Sequence, residues 1–278
     1  MPELPDLEVV REVLTRRLSG RAIARVSVAP KGGPIVVRDL TTRGFAAGLE
    51  GAVIDDIGRR GKFLTFHLND GRPWLVANPK LSGRFQLCAP GAKKAGPVHV
   101  TLLFDSPPQE LRYVDTKTMG QLYLTDDLAA VPTFSEMGPD ALDISLPAFR
   151  ERLRSFRGEI KGILIRAPFV AGIGNAYADE ILWYARLHPY RKRTSLTADE
   201  VDGLYEAMRA TLLEATVKVR AEMGEDVHLK PRDFFAVHMR AGQACPRCGT
   251  TVSAVTANQR ITNFCRTCQP GGLIRGMA

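Results

Sequence analysis

The sequence has no stretch that approaches the roughly 20 consecutive apolar residues of a membrane-spanning helix. Its first residues lack the basic segment followed by an apolar one that marks a secretory signal, and a structured motif begins at once. Internal repeats and low-complexity tracts are also lacking. These absences exclude membrane-spanning and repeat proteins, and they predict a cytoplasmic protein.

Cysteine is scarce: the 278 residues contain five, and four of them lie together near the C-terminus. The fifth, Cys88, lies alone in a strand-like segment, where we expect it to be buried. In a chain without a secretory signal, such a grouping favours a metal site over disulfides.

Basic residues, by contrast, are in excess, and the formal net charge is +8. The excess lies in the C-terminal half: residues 150–193 hold ten Lys and Arg against four Asp and Glu, and residues 232–278 hold six Arg against one Asp. This distribution predicts a polyanionic partner such as nucleic acid. A basic but inert solvated face is the alternative.

The hydrophobic pattern of the first half predicts one helix followed by a sheet structure. Apolar residues at helical spacing run from Leu7 to Leu18 and stop at Ser19-Gly20. From Ile23 to Leu124, short β-type runs alternate with turns, which predicts an antiparallel β-sandwich or barrel.

Beyond Gly138-Pro139-Asp140, helical periodicity dominates. Ser145 is placed to cap one helix, and a second is expected to start near Asn175 and to end before His188-Pro189. A third is opened by the capping box Thr197-Ala198-Asp199-Glu200.

Two Cys-x2-Cys pairs, separated by sixteen residues, are the strongest local motif; they comprise Cys245, Cys248, Cys265 and Cys268. This spacing is typical of a tetrahedral zinc held on a β-hairpin. Four cysteine ligands leave no open coordination position, so one structural Zn²⁺ is expected. Four unrelated free cysteines are the alternative. Between the pairs, Asn258-Gln259-Arg260 would form an outward-facing polar tip.

A glycine-rich segment, Ala171-Gly172-Ile173-Gly174-Asn175, leads directly into a helix. Glycines allow close backbone approach, and a helix N-terminus offers unpaired N–H groups to a phosphate. Taken alone, the segment fits an ordinary structural turn equally well.

The N-terminus, Met1-Pro2-Glu3-Leu4-Pro5, permits removal of the initiator methionine, which would leave a terminal secondary amine. An α-amine has a pKa near 8, so much of it can be neutral and can attack a sugar carbon to form an iminium. Many proteins begin with Met-Pro for no chemical reason, so this feature decides nothing alone.

Together and in this order, the Pro2–Pro5 segment, the Ala171–Glu180 segment and the four cysteines closely resemble the formamidopyrimidine-DNA glycosylase and endonuclease VIII family. The resemblance covers nearly the whole chain. It implies an α+β protein with an N-terminal β-sandwich and flanking helices (1–137), a helix-two-turn-helix domain (138–235) and a zinc finger (236–272). It further implies a monomer that binds damaged double-stranded DNA in a cleft, as a glycosylase with abasic-site lyase activity.

The resemblance also assigns roles to residues. Pro2 would attack C1′ of the damaged nucleotide, and Glu3 would be the acid that opens the sugar ring. Lys62 and Arg260 would bind phosphates and assist catalysis. The expected DNA contacts are Asn175, Leu81, Lys117, Met119, Arg157 and Lys161.

Departures from the family pattern bear on specificity. The formamidopyrimidine branch usually has Arg and Phe where this chain has Lys117 and Met119, and the segment 225–233, which forms a lid in the branch that excises 8-oxoguanine, is short. Leu81 and the short segment are closer to the endonuclease VIII branch, whereas Pro2–Pro5 and Leu81-Ser82-Gly83 keep the style of the other. We expect oxidised pyrimidines and formamidopyrimidines to be excised faster than 8-oxoguanine.

Two rival functions stay open at this point. A non-catalytic, damage-binding paralogue could use the same cleft, although the joint presence of the catalytic candidates argues against it. A zinc-ribbon protein of ribosomes or RNA metabolism would fit the charge and the finger but leaves the Pro2-Glu3 terminus unexplained.

Overall fold

The computed structural model describes residues 1–69, 71, 73–257 and 260–271. The chain divides into two compact units: Met1–Glu136 with Val219–Pro231 form the first, and Met137–Lys218 with Arg232–Ala278 form the second. The linear boundaries expected from the sequence did not include this return of residues 219–231, and they stay a prediction.

The first unit opens with helix α1 (Leu4–Leu18), in agreement with the predicted leading helix. Glu3 is its N-cap residue, and the backbone N–H of Glu3 donates to the carboxylate of Asp6 at 2.8 Å. Pro5 lies in the first turn, where a missing N–H costs no helical hydrogen bond.

The strands of the first unit begin after α1 and match the β-type runs of the sequence. They are β1 (Arg25–Val28), β2 (Val37–Asp39), β3 (Ile54–Arg60), β4 (Phe63–Leu68), β5 (Trp74–Asn78), β6 (Arg84–Cys88), β7 (Val98–Phe104), β8 (Gln109–Val114) and β9 (Gln121–Thr125). Short helices α2 (Gly33–Val36) and α3 (Phe45–Leu49) were not expected, because four or five residues are too few for a periodic pattern.

These strands form two sheets with the orders β2-β9-β5-β4-β3 and β1-β7-β8-β6. Phe66 of β4 and Phe85 of β6 pack across them, with ring centroids 5.8 Å apart. The predicted β-sandwich is therefore confirmed. Its strands pair antiparallel except for β2 and β9, which pair parallel. Cys88, expected to be buried, ends β6 half-buried.

The second unit contains α4 (Leu146–Ser155), α5 (Ile160–Leu164), α6 (Asn175–Tyr184) and α7 (Ala198–Met223), which ends in the first unit. The side chain of Ser145 caps α4, and Thr197 and Glu200 bond reciprocally at the start of α7, so both predicted caps are confirmed. Phe149 of α4 packs against Phe169 and Tyr205 in the core. Helix α5 was not expected, because five residues are too few for a periodic pattern.

The C-terminal finger is an antiparallel hairpin of β10 (Ser253–Ala257) and β11 (Arg260–Phe264). Of the expected polar tip, Asn258 and Gln259 lie outside the described residues. Among the helices of the described residues, none is long and apolar enough to span a membrane.

Candidate functional site

Pro2 and Glu3 lie at the open N-terminal end of α1. Pro2 is half-buried and Glu3 is 2% exposed, while the backbone of Glu3 is fixed at both ends. Its N–H donates to Asp6, and its carbonyl accepts the N–H of Leu7 at 3.0 Å. Pro2 borders a largely apolar pocket, whose other lining residues are Asp6, Leu7, Val10, Pro79, Gly83, Arg84, Phe85, Met223, Val227, Leu229 and Lys230.

Lys62 lies in the two-residue turn that joins β3 to β4. Gly61 opens the turn with a φ of 57°, which is the left-handed conformation that such hairpins require at this position. Arg59 fixes the turn, because its guanidinium donates to the carbonyl of Gly61 at 3.1 Å and to Glu8 of α1 at 2.6 Å. The helix that carries Pro2 and the hairpin that carries Lys62 are thus joined.

Glu8 is held by two arginines, Arg11 and Arg59. Burial alone would raise the pKa of Glu8, but the hydrogen bonds and charges of the two guanidinium groups lower it below the ordinary 4.5. Glu8 is therefore a firmly ionised anchor between α1 and β3.

The segment after α7 packs on α1 and β6 within the first unit. Glu225 binds Arg16 and Arg17 of α1, and Arg84 donates to the carbonyl of His228 at 3.2 Å. Val227 is 2% exposed. The segment 225–231 thus forms a wall of the Pro2 pocket.

Leu81, Lys117 and Met119 lie on two neighbouring loops of the first unit. Leu81 is 44% and Met119 49% exposed, which is unusual for large apolar side chains, and Lys117 is exposed as well. The two loops are joined by hydrogen bonds from Ser82 to Asp115 and from the N–H of Lys117 to Ser82. These three predicted DNA contacts therefore lie on two loops that hydrogen-bond to each other.

In the second unit, Asn175 is the first residue of α6 and follows a turn in which Gly172 has a φ of 106°. Few residues other than glycine adopt this conformation. The amide of Asn175 donates to the carbonyl of Ile261 in β11 at 2.8 Å. The N-terminus of α6 and the finger hairpin are therefore in contact beside Arg260, the exposed first residue of β11.

Lys161 is buried, contrary to the exposure that a direct DNA contact would need. Its ammonium lies 2.6 Å from the carboxylate of Asp179 and donates to Thr262 and to the carbonyl of Ile261 at 2.9 and 3.2 Å. In this arrangement Lys161 holds β11, whereas Arg157 is exposed in the loop between α4 and α5.

Two adjacent acids of α6 organise the finger. Asp179, fully buried, accepts hydrogen bonds from the backbone and side chain of Asn263 at 3.1 Å and lies 2.8 Å from His238 Nδ1. Glu180 accepts three backbone N–H groups from residues 236–238. Burial raises the pKa of Glu180, and these N–H groups oppose that rise.

The four predicted cysteines converge, with all sulfur atoms within 4.8 Å of one another. The Sγ atoms of Cys245 and Cys268 are 3.9 Å apart, and those of Cys248 and Cys265 are 3.4 Å apart. Four thiolates at about 2.3 Å from a tetrahedral zinc lie about 3.8 Å from one another. The cluster therefore fits one structural zinc. Trp183 of α6 donates to the Cys245 sulfur at 3.4 Å.

Sequence reasoning missed the residues that position the others: Glu8, Arg59, Ser82, Asp115, Asp179, Glu180 and His238. Each acts on a partner from another element, and no local pattern encodes such a pairing. The sequence does indicate one positioning contact: an acidic residue, Asp6, three residues after Glu3 is the pattern of a capping box at the start of α1.

Three protein-family models match the chain in order. They are the formamidopyrimidine-DNA glycosylase N-terminal domain (residues 1–122), the formamidopyrimidine-DNA glycosylase H2TH domain (137–225) and the zinc finger found in FPG and IleRS (242–271).

Individual relatives extend over the whole chain. The formamidopyrimidine-DNA glycosylase of Symbiobacterium thermophilum is 39% identical over 97% of this chain and 90% of its own. The enzyme of Chloroflexus aurantiacus is 35% identical over 97% and 98%. A solved structure of a Lactococcus lactis formamidopyrimidine-DNA glycosylase variant with Fapy-dG-containing DNA has a TM-score of 0.84 at 28% identity, over 97% of this chain and 100% of that one.

The sequence identity with these relatives agrees with three other observations: the order of the matched domains, the fold and the four-cysteine cluster. This chain belongs to the formamidopyrimidine-DNA glycosylase family of base-excision repair enzymes.

Proposed function

We propose that this protein excises oxidised bases from double-stranded DNA and cleaves the resulting abasic site, with Pro2 as the nucleophile. The observation that carries the proposal is the start of α1, where Pro2 borders a pocket beside the buried Glu3. Removal of Met1 makes the Pro2 nitrogen a terminal secondary amine, and a reactive fraction of such an amine is neutral at physiological pH.

The proposed reaction begins when the Pro2 nitrogen attacks C1′ and the bond from C1′ to the base breaks; the nitrogen gives up its proton and the departing base takes one up. Glu3 gives a proton to the ring oxygen of the sugar, the ring opens, and an iminium joins C1′ to Pro2. Loss of a proton from C2′ then expels the 3′ phosphate, and water releases the enzyme from the sugar. A buried carboxylic acid whose backbone is fixed at both ends suits this proton transfer.

Phosphate contacts come from both units in this proposal. In the first unit Lys62, on the hairpin turn that Arg59 fixes, binds phosphate and assists proton transfer. In the second unit Asn175 and Arg260 bind phosphates near the lesion, and exposed Arg157 binds the backbone farther away. Lys161 acts indirectly, because its ammonium holds the strand that carries Arg260.

A base inside a duplex is out of reach, so the damaged nucleotide must leave the stack at a cost of a few kcal/mol. Exposed apolar side chains can fill the gap that it leaves. We assign this role to Leu81 and Met119, with Lys117 facing the base opposite the lesion. The zinc keeps the finger folded and so keeps Arg260 in place. As a chromosomal repair enzyme, the protein is expected in the cytoplasm, at the nucleoid of a prokaryote.

A panel of duplexes that differ only in the lesion tests the proposal. Single-turnover excision of formamidopyrimidines and oxidised pyrimidines should exceed that of 8-oxoguanine, because the 225–233 segment is short and Lys117 lacks the planar fork of arginine. Restoring the family residue with Lys117→Arg should sharpen the preference for the opposite base. Failure to release any lesion would leave a damage-binding paralogue.

A further inference from the structure

The two loops that carry Leu81 and Met119 share one buried anchor, Asp115. We call Asn78–Gly83 the leucine loop and Asp115–Gly120 the methionine loop. Asp115 is 1% exposed, and its carboxylate accepts the N–H of Gly120 at 2.7 Å and the N–H of Lys117 at 3.1 Å. It also accepts the hydroxyl of Ser82, which reaches across from the leucine loop.

One glycine in each loop lets the backbone approach the same side chain, that of Tyr113. A Cβ at Gly83 in the leucine loop would lie 1.9 Å from the hydroxyl oxygen of Tyr113, and one at Gly120 in the methionine loop would lie 1.7 Å from it. Tyr113 is itself fixed in β8 and 1% exposed. Both loops therefore pack on the same buried side chain, at positions where any residue larger than glycine would clash with it.

The tips of both loops adopt backbone conformations that need support. Lys80 and Thr118, which directly precede Leu81 and Met119, each have a φ of 50°. This left-handed region is uncommon for side chains other than glycine and asparagine. The exposed side chains of Leu81 and Met119 thus each follow a left-handed residue, in two loops that both hydrogen-bond to Asp115.

We propose that Ser82 and Asp115 are positioning residues that make the two loops one rigid wedge, so that Leu81 and Met119 enter the DNA stack together. The inference rests on the proposed gap-filling role of those two side chains. The Ser82 hydroxyl is the side-chain link between the loops, and the bond it donates is to an ionised group, which is a strong kind of protein hydrogen bond. Without this hydrogen bond, each loop keeps its own contacts, but its position relative to the other loop is no longer fixed.

A double-mutant cycle tests the coupling. Ser82→Ala should slow single-turnover excision from duplex DNA about tenfold, which is the order expected for a hydrogen bond to a charged group. In a Leu81→Ala, Met119→Ala background the same change should cost less than twofold, because the side chains that it positions are gone. Ser82→Thr, which keeps the hydroxyl, should restore most of the rate.

One readout separates positioning from a general structural effect. Cleavage of a single-stranded abasic oligonucleotide needs no wedge, so Ser82→Ala should leave it unchanged, as should the control Ser27→Ala, which alters an exposed serine of β1 in the same unit. Equal loss from Ser82→Ala in both backgrounds, or no loss on duplex DNA, would overturn the inference. Unchanged excision by the Leu81→Ala, Met119→Ala protein would instead refute the proposed gap-filling role.

Discussion

Among individual residues, Glu3, which is 2% exposed, has the most demanding proposed role. Its backbone is locked by Asp6 and Leu7, so the carboxyl group is set by the start of α1. Glu3→Gln keeps the size and removes the acid. Excision from a lesion duplex should then fall about 10²- to 10⁴-fold, which is typical for loss of a general acid.

Single-turnover excision on one lesion duplex measures this loss, and Glu136→Gln, an exposed change in the same unit, is the matched control. Binding to the lesion duplex should persist in the Glu3 variant. Full excision by that variant would remove Glu3 from the mechanism.

The family resemblance identified Pro2 and Glu3 as candidates and the cysteine spacing identified the zinc ligands, whereas neither indicated that Lys161 is buried. A lysine in a basic stretch looks like a surface contact, because its burial depends on Asp179, eighteen residues farther along and on another helix. Such partners meet only when α5, α6 and β11 pack. Residue type and local charge therefore predict the chemistry of a site better than its exposure.

At the scale of elements, the ion pair of Glu8 with Arg59 joins α1 to the β3–β4 hairpin. Arg59 is 8% and Glu8 19% exposed, so Glu8→Gln leaves a nearly buried guanidinium without its anion. We expect a loss of about 1–3 kcal/mol of stability and slower abasic-site cleavage, because the turn that holds Lys62 loosens. Melting temperature and lyase rate measure the two effects.

The pH dependence of this pair has a defined sign. Because folding lowers the pKa of Glu8, the stability it contributes is present above the ordinary value of 4.5 and is lost as pH falls through the lowered folded value. The difference in melting temperature between the wild type and Glu8→Gln should therefore shrink below about pH 4.5. A difference independent of pH would show that the ionised pair is not its source.

The zinc finger is the second element with a clear test. One zinc per chain should bind to Cys245, Cys248, Cys265 and Cys268. Chelation or Cys265→Ser should abolish DNA binding, because the hairpin with Arg260 loses its base. Metal analysis measures the zinc content, and fluorescence anisotropy measures DNA binding. Circular dichroism checks that the first unit stays folded. The half-buried Cys88, in the sandwich, offers Cys88→Ser as control. Normal DNA affinity in a metal-free preparation would contradict the assignment.

Element types were predictable where periodicity was long. The helix α1, the capped helices α4 and α7 and the β-type runs all follow from local pattern and capping chemistry. The parallel pairing of β2 with β9 and the short helices α2, α3 and α5 do not, because tertiary packing selects them. The same holds for the hydrogen bonds and ion pairs that fix the Lys62 hairpin and the finger.

At the scale of the whole molecule, the net charge of +8 makes DNA affinity a function of salt. The logarithm of the binding constant should fall linearly with the logarithm of salt concentration, with about 0.9 of slope for each neutralised phosphate. Arg157→Gln should reduce that slope by about one and weaken binding to damaged and intact DNA alike. A flat salt response would refute electrostatic binding by the basic segments.

The return of residues 219–231 to the first unit is the feature of the whole chain that sequence could not supply. It depends on Glu12 and Glu225 meeting Arg220, Arg16 and Arg17 across some 200 residues of chain. Charge pairs so distant in sequence leave no local signature. They hold against the first unit a segment that forms a wall of the pocket beside Pro2.

The central claim, that the Pro2 nitrogen is the nucleophile, is tested most directly by borohydride trapping on abasic-site DNA followed by peptide mass spectrometry. Borohydride converts only an iminium into a stable adduct, so the modified peptide identifies the attacking amine. We predict one adduct, on Pro2, and none in protein that retains Met1. An adduct on an internal lysine, together with full activity of Pro2→Gly, would contradict the account.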